Sequence, residues 1–85
     1  MNKKLFVGNL SYSIRGEDLK RIFSEAGNVI DAVVITDRES RRSKGFGFVE
    51  METEEEAQKA IEMFNEKDVE GRKIFVSEAR DKTEE

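Results

Sequence analysis

Phe46 and Phe48, two residues apart and preceded by Lys44, are the side chains whose types and spacing could act on another molecule. Along a strand, side chains alternate between two faces. Lys44, Phe46, Phe48 and Glu50 therefore share one side of the stretch 44–51, and Gly47, Val49 and Met51 take the other. Val49 and Met51 suit a core. Two large rings beside a lysine and a glutamate suit neither a core nor a plain solvent face; they suit a surface on which unpaired bases stack. The alternative is a second buried sheet face. A chain of 85 residues with 40% charged side chains is too short and too polar to cover both faces. The stretch 5–10 repeats the arrangement, with Leu5 and Val7 on one side and Lys4, Phe6 and Gly8 on the other.

Other chemistries fall away on composition. The chain has neither histidine nor cysteine, so a histidine-activated nucleophile and a thiolate or imidazole metal site are both excluded, and no cofactor is implied. Its length suits one domain, burying about 60–65% of the unfolded surface. No apolar run reaches bilayer length and no signal-peptide pattern opens the sequence. The expectation is a soluble, cytoplasmic monomer with no membrane and no small-molecule substrate. Net charge is −4 but unevenly spread: residues 1–49 carry nine basic and six acidic groups, residues 50–70 two basic and nine acidic. A phosphate responds to the local patch, because the field decays over about 8 Å at physiological salt.

The elements that would position the aromatics follow from periodicity. Residues 4–8 read as a first strand and 9–14 as a loop. Leu19, Ile22, Phe23 and Ala26 fall at helical spacing, giving a helix over 16–26 with Gly16 as its N-cap and Gly27 as a left-handed exit. Residues 29–36 are rich in β-branched side chains and form a second strand, with Val33, Val34 and Ile35 leaving its parity open. Residues 37–43 make a hairpin connection to the strand 44–51. Thr53 and Glu56 form a capping box for a second helix whose stripe is Ala57, Ala60, Ile61 and Phe64, with Asn65 as a left-handed exit. A turn at 69–72 leads to a last strand, 73–79, with Ile74 and Val76 inward and Lys73, Phe75 and Ser77 outward. Residues 81–85 are a charged tail.

The order βαββαβ with both helices on one sheet face is the α+β, ferredoxin-like sandwich. Within it, Lys44-Gly-Phe-Gly-Phe-Val-Glu-Met51 resembles the RNP1 signature of the RNA recognition motif, departing only at Met51, where the signature has an aromatic. That position faces inward, and methionine fills irregular core gaps. Leu5-Phe-Val-Gly-Asn-Leu10 resembles the companion signature, RNP2, without departure. The resemblance spans residues 4–80 of the single domain 1–85. It implies a four-stranded antiparallel sheet of order 4-1-3-2 with the signature strands adjacent, and Ala32 and Val34 inward against Val33 and Ile35 outward.

The resemblance further implies a non-enzymatic module for single-stranded RNA. Phe6 and Phe48 would stack on bases, Phe46 would pack on the intervening sugars, and Lys44 would meet a phosphate. Arg41 and Arg42 in the hairpin loop, Lys4, Phe75 and Arg80 are further candidate contacts. The family pattern usually has glycine where Arg41 stands. Tyr12 has two readings, an RNA contact or a cover for the sheet edge. Phe23 and Phe64 belong to helix stripes and to the core. Two other functions fit a fold of this kind. The acidic second helix could serve a protein partner. An acylphosphatase-like enzyme would need a positioned arginine in the loop after the first strand, and that loop holds none before Arg15.

Overall fold

The computed structural model describes residues 3–40 and 42–79. Arg41, Arg80 and the tail 81–85 lie outside the described residues. Alternation decides the first strand, β1 (Lys4–Gly8): Leu5 and Val7 are fully buried while Phe6 lies on the opposite face. The third strand, β3 (Ser43–Met51), follows the same rule, with Val49 and Met51 fully buried. Methionine at 51 thus packs in the core.

β1 sits between β3 and the last strand, β6 (Phe75–Glu78), and β2 (Val29–Thr36) closes the other edge. The order β2-β3-β1-β6, antiparallel throughout, is the expected 4-1-3-2 read from the opposite edge. Ala32 and Val34 pack against the core and Val33 is 44% exposed, so the parity implied for β2 holds in its centre. Register shifts on either side of that centre, at 29–31 and 34–36, accommodate the run of consecutive apolar residues.

The two helices cover one face. α1 (Gly16–Phe23) packs on β2 and β3, and α2 (Glu54–Phe64) packs on β6, β3 and β1. Phe23 and Phe64 meet between them with ring centroids 4.7 Å apart. α1 differs from the periodic reading at both ends. Its N-cap is Arg15, not Gly16, because the Asp18 carboxylate accepts from the Arg15 backbone N–H at 2.9 Å. Gly16 instead packs so close to the Ala32 carbonyl that a Cβ there would lie 2.9 Å away. The helix stops at Phe23 and Ala26 reaches the core from a following turn, closed by its N–H on the Phe23 carbonyl. Gly27 is not left-handed.

α2 begins as expected, with Thr53 Oγ1 accepting from the Glu56 N–H at 3.1 Å. At its other end Glu66, not Asn65, adopts the left-handed conformation (φ 63°). Asn65 is committed elsewhere: its Oδ1 accepts from the Val76 N–H at 3.0 Å, tying the helix end to β6. The final strand is also divided. Short strands β4 (Asp68–Val69) and β5 (Arg72–Lys73) form a separate hairpin. Its two-residue turn places Glu70 (φ 53°) and Gly71 (φ 80°) in the left-handed region, the combination that matches strand twist.

Candidate nucleic-acid interface

Opposite the helices, β1 and β3 bring three phenylalanines together. Phe6 pairs directly with Phe48, and Phe46 pairs with Gly8 two residues further along the ladder, on the same face. Ring centroids lie 5.7 Å apart for Phe6 and Phe46, 5.8 Å for Phe6 and Phe48, and 6.5 Å for Phe46 and Phe48. These separations fall in the range where aromatic pairs attract. The rings are half-buried rather than freely exposed, because they pack on one another and on the strand below. Gly8 supplies part of that support: a Cβ at Gly8 would stand 3.0 Å from the edge of the Phe6 ring.

The rim of this platform is polar and graded in charge. Lys4 Nζ sits 5.3 Å from the centre of the Phe48 ring, a cation–π contact. Lys4 is paired across the ladder with Glu50, which is itself opposite Asp31, so this end carries more acid than base. The other end is cationic. There a concavity of about 560 Å³ is bounded by Phe6, Phe46 and Phe75, with Lys44 and Arg72 at its edge and Tyr12 as one wall. Phe75 stands opposite Gly8 and is 48% exposed, so it extends the platform onto β6.

Arg72 is a residue that periodicity missed. Its guanidinium donates to Asn9 Oδ1 at 2.8 Å, and Asn9 Nδ2 donates to the Lys73 carbonyl at 2.6 Å. Asn9 itself is left-handed (φ 58°), which turns its amide toward the hairpin. The result is a cation fixed beside the aromatic rings. Nothing in the local pattern Gly71-Arg72-Lys73 signals this, because the partner lies 63 positions away.

The expected grouping of hairpin-loop cations is divided by the structure. Lys44 borders the platform, but Arg42 lines a different cleft, with Thr36 and Arg15. The hairpin loop that ends at Arg42 is closed by the Asp37 N–H on the Arg42 carbonyl at 2.8 Å. The N–H groups of Glu39 and then Ser40 donate to the Asp37 carboxylate and hold its pKa below the ordinary 3.8, with Lys44 adding in the same direction. Lys4, Phe6, Lys44, Phe46, Phe48 and Phe75 thus border one platform, Arg42 lines the neighbouring cleft, and Arg41 and Arg80 lie outside the described residues.

Comparison with known proteins settles the family. The model of the RNA recognition motif matches residues 5–74. The chain belongs to the RNA recognition motif family. It is 54% identical over 76 residues to a 31 kDa chloroplastic ribonucleoprotein of Nicotiana sylvestris, covering 89% of this chain and 24% of that protein. This chain therefore spans about a quarter of that relative. A crystal structure of RNA Binding Protein PG1 superposes with a TM-score of 0.90 at 48% identity, over 95% of this chain and 98% of that one. An Sxl-lethal protein/RNA complex superposes with a TM-score of 0.89 at 27% identity, over 95% of this chain and 48% of that one.

These relatives correct one expectation. Several, from Nicotiana, Arabidopsis and spinach, are named chloroplastic ribonucleoproteins, which overturns the cytoplasmic location drawn from the lack of a span or leader. Such a default reads an address from what a sequence lacks, and addresses are carried by segments separate from the fold. Among the described residues, no helix is long and apolar enough to cross a membrane.

Proposed function

We propose that this domain binds single-stranded RNA by stacking unpaired bases on Phe6 and Phe48, with Phe46 against the sugars between them. The observation that carries the reading is the trio of mutually packed rings on the uncovered face of the sheet. Every base has a π face, so such a platform holds RNA without covalent chemistry, and the domain works as a non-enzymatic monomer. Lys44 and Arg72 supply cations for phosphates at one end of the platform, and Phe75 widens it. Lys4, now over Phe48, is displaced toward the backbone when a base takes its place. Arg41 and Arg80 extend the same role from outside the described residues. The family membership and the Sxl-lethal protein/RNA complex support this reading.

Paired bases are already stacked and cannot lie on the rings. The test is a titration of the protein with a single-stranded oligoribonucleotide and with the same sequence locked in a hairpin stem. The single strand is expected to bind and the stem to bind poorly; tighter binding of the stem would reject the platform.

A further inference from the structure

Beyond the platform, a second cleft of about 660 Å³ opens where the loop after β1 meets the end of β2. Its lining combines apolar Ile14 and Val34 with Thr36 and the exposed cations Arg15 and Arg42. Tyr12 lines this cleft and the platform concavity alike. Its side chain is 68% exposed, more than any other large apolar or aromatic side chain among the described residues. We propose that this cleft receives a further nucleotide of the same RNA strand, with its base against Tyr12 and its phosphate between Arg15 and Arg42. This rests on the platform reading and extends the site around the sheet end.

Three observations favour a nucleotide here. The first is continuity: Tyr12 lines both hollows, so a strand leaving the rings at their cationic end can pass over Tyr12 into the cleft. The second is chemistry. A pocket of this size lined by apolar side chains and a few polar groups is the ordinary form of a small-ligand site, and guanidinium pairs match phosphate geometry. Neither Arg15 nor Arg42 has an ion-pair partner among the described residues. The nearby acids are engaged: Asp18 holds Arg21 at 2.8 Å and caps the Arg15 N–H, and Asp37 is turned to its own loop. The third is the charge gradient. The opposite end of the platform carries Glu50 and Asp31, which repel a backbone, so the strand is drawn toward Lys44, Arg72 and the cleft.

The chain contains one tyrosine and no tryptophan, so tyrosine emission reports on Tyr12 alone. The full chain is titrated with single-stranded oligouridylate of about three nucleotides, the number such a platform stacks, and of roughly eight. Phe6→Ala is run as the platform control and circular dichroism checks each variant. The longer RNA is expected to quench Tyr12 emission and the shorter one to leave it largely unchanged. Arg15→Ala should make the slope of log affinity against log salt shallower by about 0.7 with the longer RNA alone, one phosphate contact on a single strand. Arg42→Ala should do the same, so the test survives if one variant fails to fold. RNA binding that needs Phe6, with Tyr12 emission and both arginine variants indifferent to RNA length, would overturn the cleft and leave the platform. Binding that is indifferent to Phe6→Ala, or no binding at all, would overturn the platform and the cleft with it.

Discussion

Leu5 and Phe6 are neighbours in sequence, share one strand and one hydrogen-bond ladder, and have opposite fates. Leu5 is fully buried against the helices; Phe6 is half-buried among other rings, on the face that neither helix covers. The same contrast runs along β3 between Val49 and Phe48. Hydrophobicity therefore does two jobs in this sheet. On the covered face it stabilises the fold, and on the uncovered face it makes a surface that another molecule must complete. A single period-2 alternation separates the two roles, and a one-residue slip would exchange them.

The sharpest way to break this comparison is to truncate the neighbours in turn. Leu5→Ala is expected to lower stability by about 2–5 kcal/mol, the cost of a cavity in a core that cannot collapse around it. Denaturant unfolding measures this, and a loss near zero would mean that the covered face is not tightly packed. Phe6→Ala and Phe48→Ala are expected to leave the fold standing and to weaken single-stranded RNA binding by roughly 1–3 kcal/mol each, one base stack. If either variant unfolds at the temperature of Leu5→Ala, the two faces do not differ in kind.

Charge sharpens the comparison further. Arg72→Ala removes a cation fixed beside the rings and should reduce the salt slope of RNA binding by about 0.7. Lys59→Ala removes an exposed cation from α2, on the helix side, and should leave that slope unchanged. Equal effects would place RNA on both sides of the sheet. The smallest effect belongs to neither face. The carboxylate of Asp37 has a folded pKa below its unfolded 3.8, so its support for the loop is complete above that value and is lost as pH falls through the lower folded value. Amide exchange at Glu39 and Ser40 should accelerate in that acid range, and Asp37→Asn should show the acceleration already at neutral pH.

Much of this was legible in the sequence because alternation and the 3.6-residue period are local properties. The two signature strands, the inward Met51, the Thr53 cap and the outward Phe75 needed no long-range information. The departures share a different cause. Asn65 is the better left-handed residue by propensity, yet its side chain is drawn to the Val76 N–H and Glu66 takes the strained conformation instead. Arg15 caps α1 only because Asp18 reaches back to its N–H. The last strand divides at Ile74, whose N–H bonds the Lys67 carbonyl. Arg72 joins the site through Asn9. Each depends on a partner that a window of sequence does not contain. The chloroplastic names of the relatives lay outside what a fold-level reading can reach.

The position of β1 between β3 and β6 has a consequence for how the protein comes into being. Within this domain the first strand to be synthesised is an inner one, and both of its ladders belong to segments synthesised later. The Asn9–Lys73 bond that fastens its end spans 64 positions. Until β6 emerges, Leu5 and Val7 have only one flanking strand, and the edge of β1 offers its unpaired N–H and C=O groups to any extended chain nearby. Nascent chains are therefore most open to mispairing late in the synthesis of this domain, after β3 has docked and before Phe75–Glu78 arrives. Ribosome-bound fragments that stop at α2 should be cleaved readily by protease near β1, and fragments that carry β6 clear of the exit tunnel should resist.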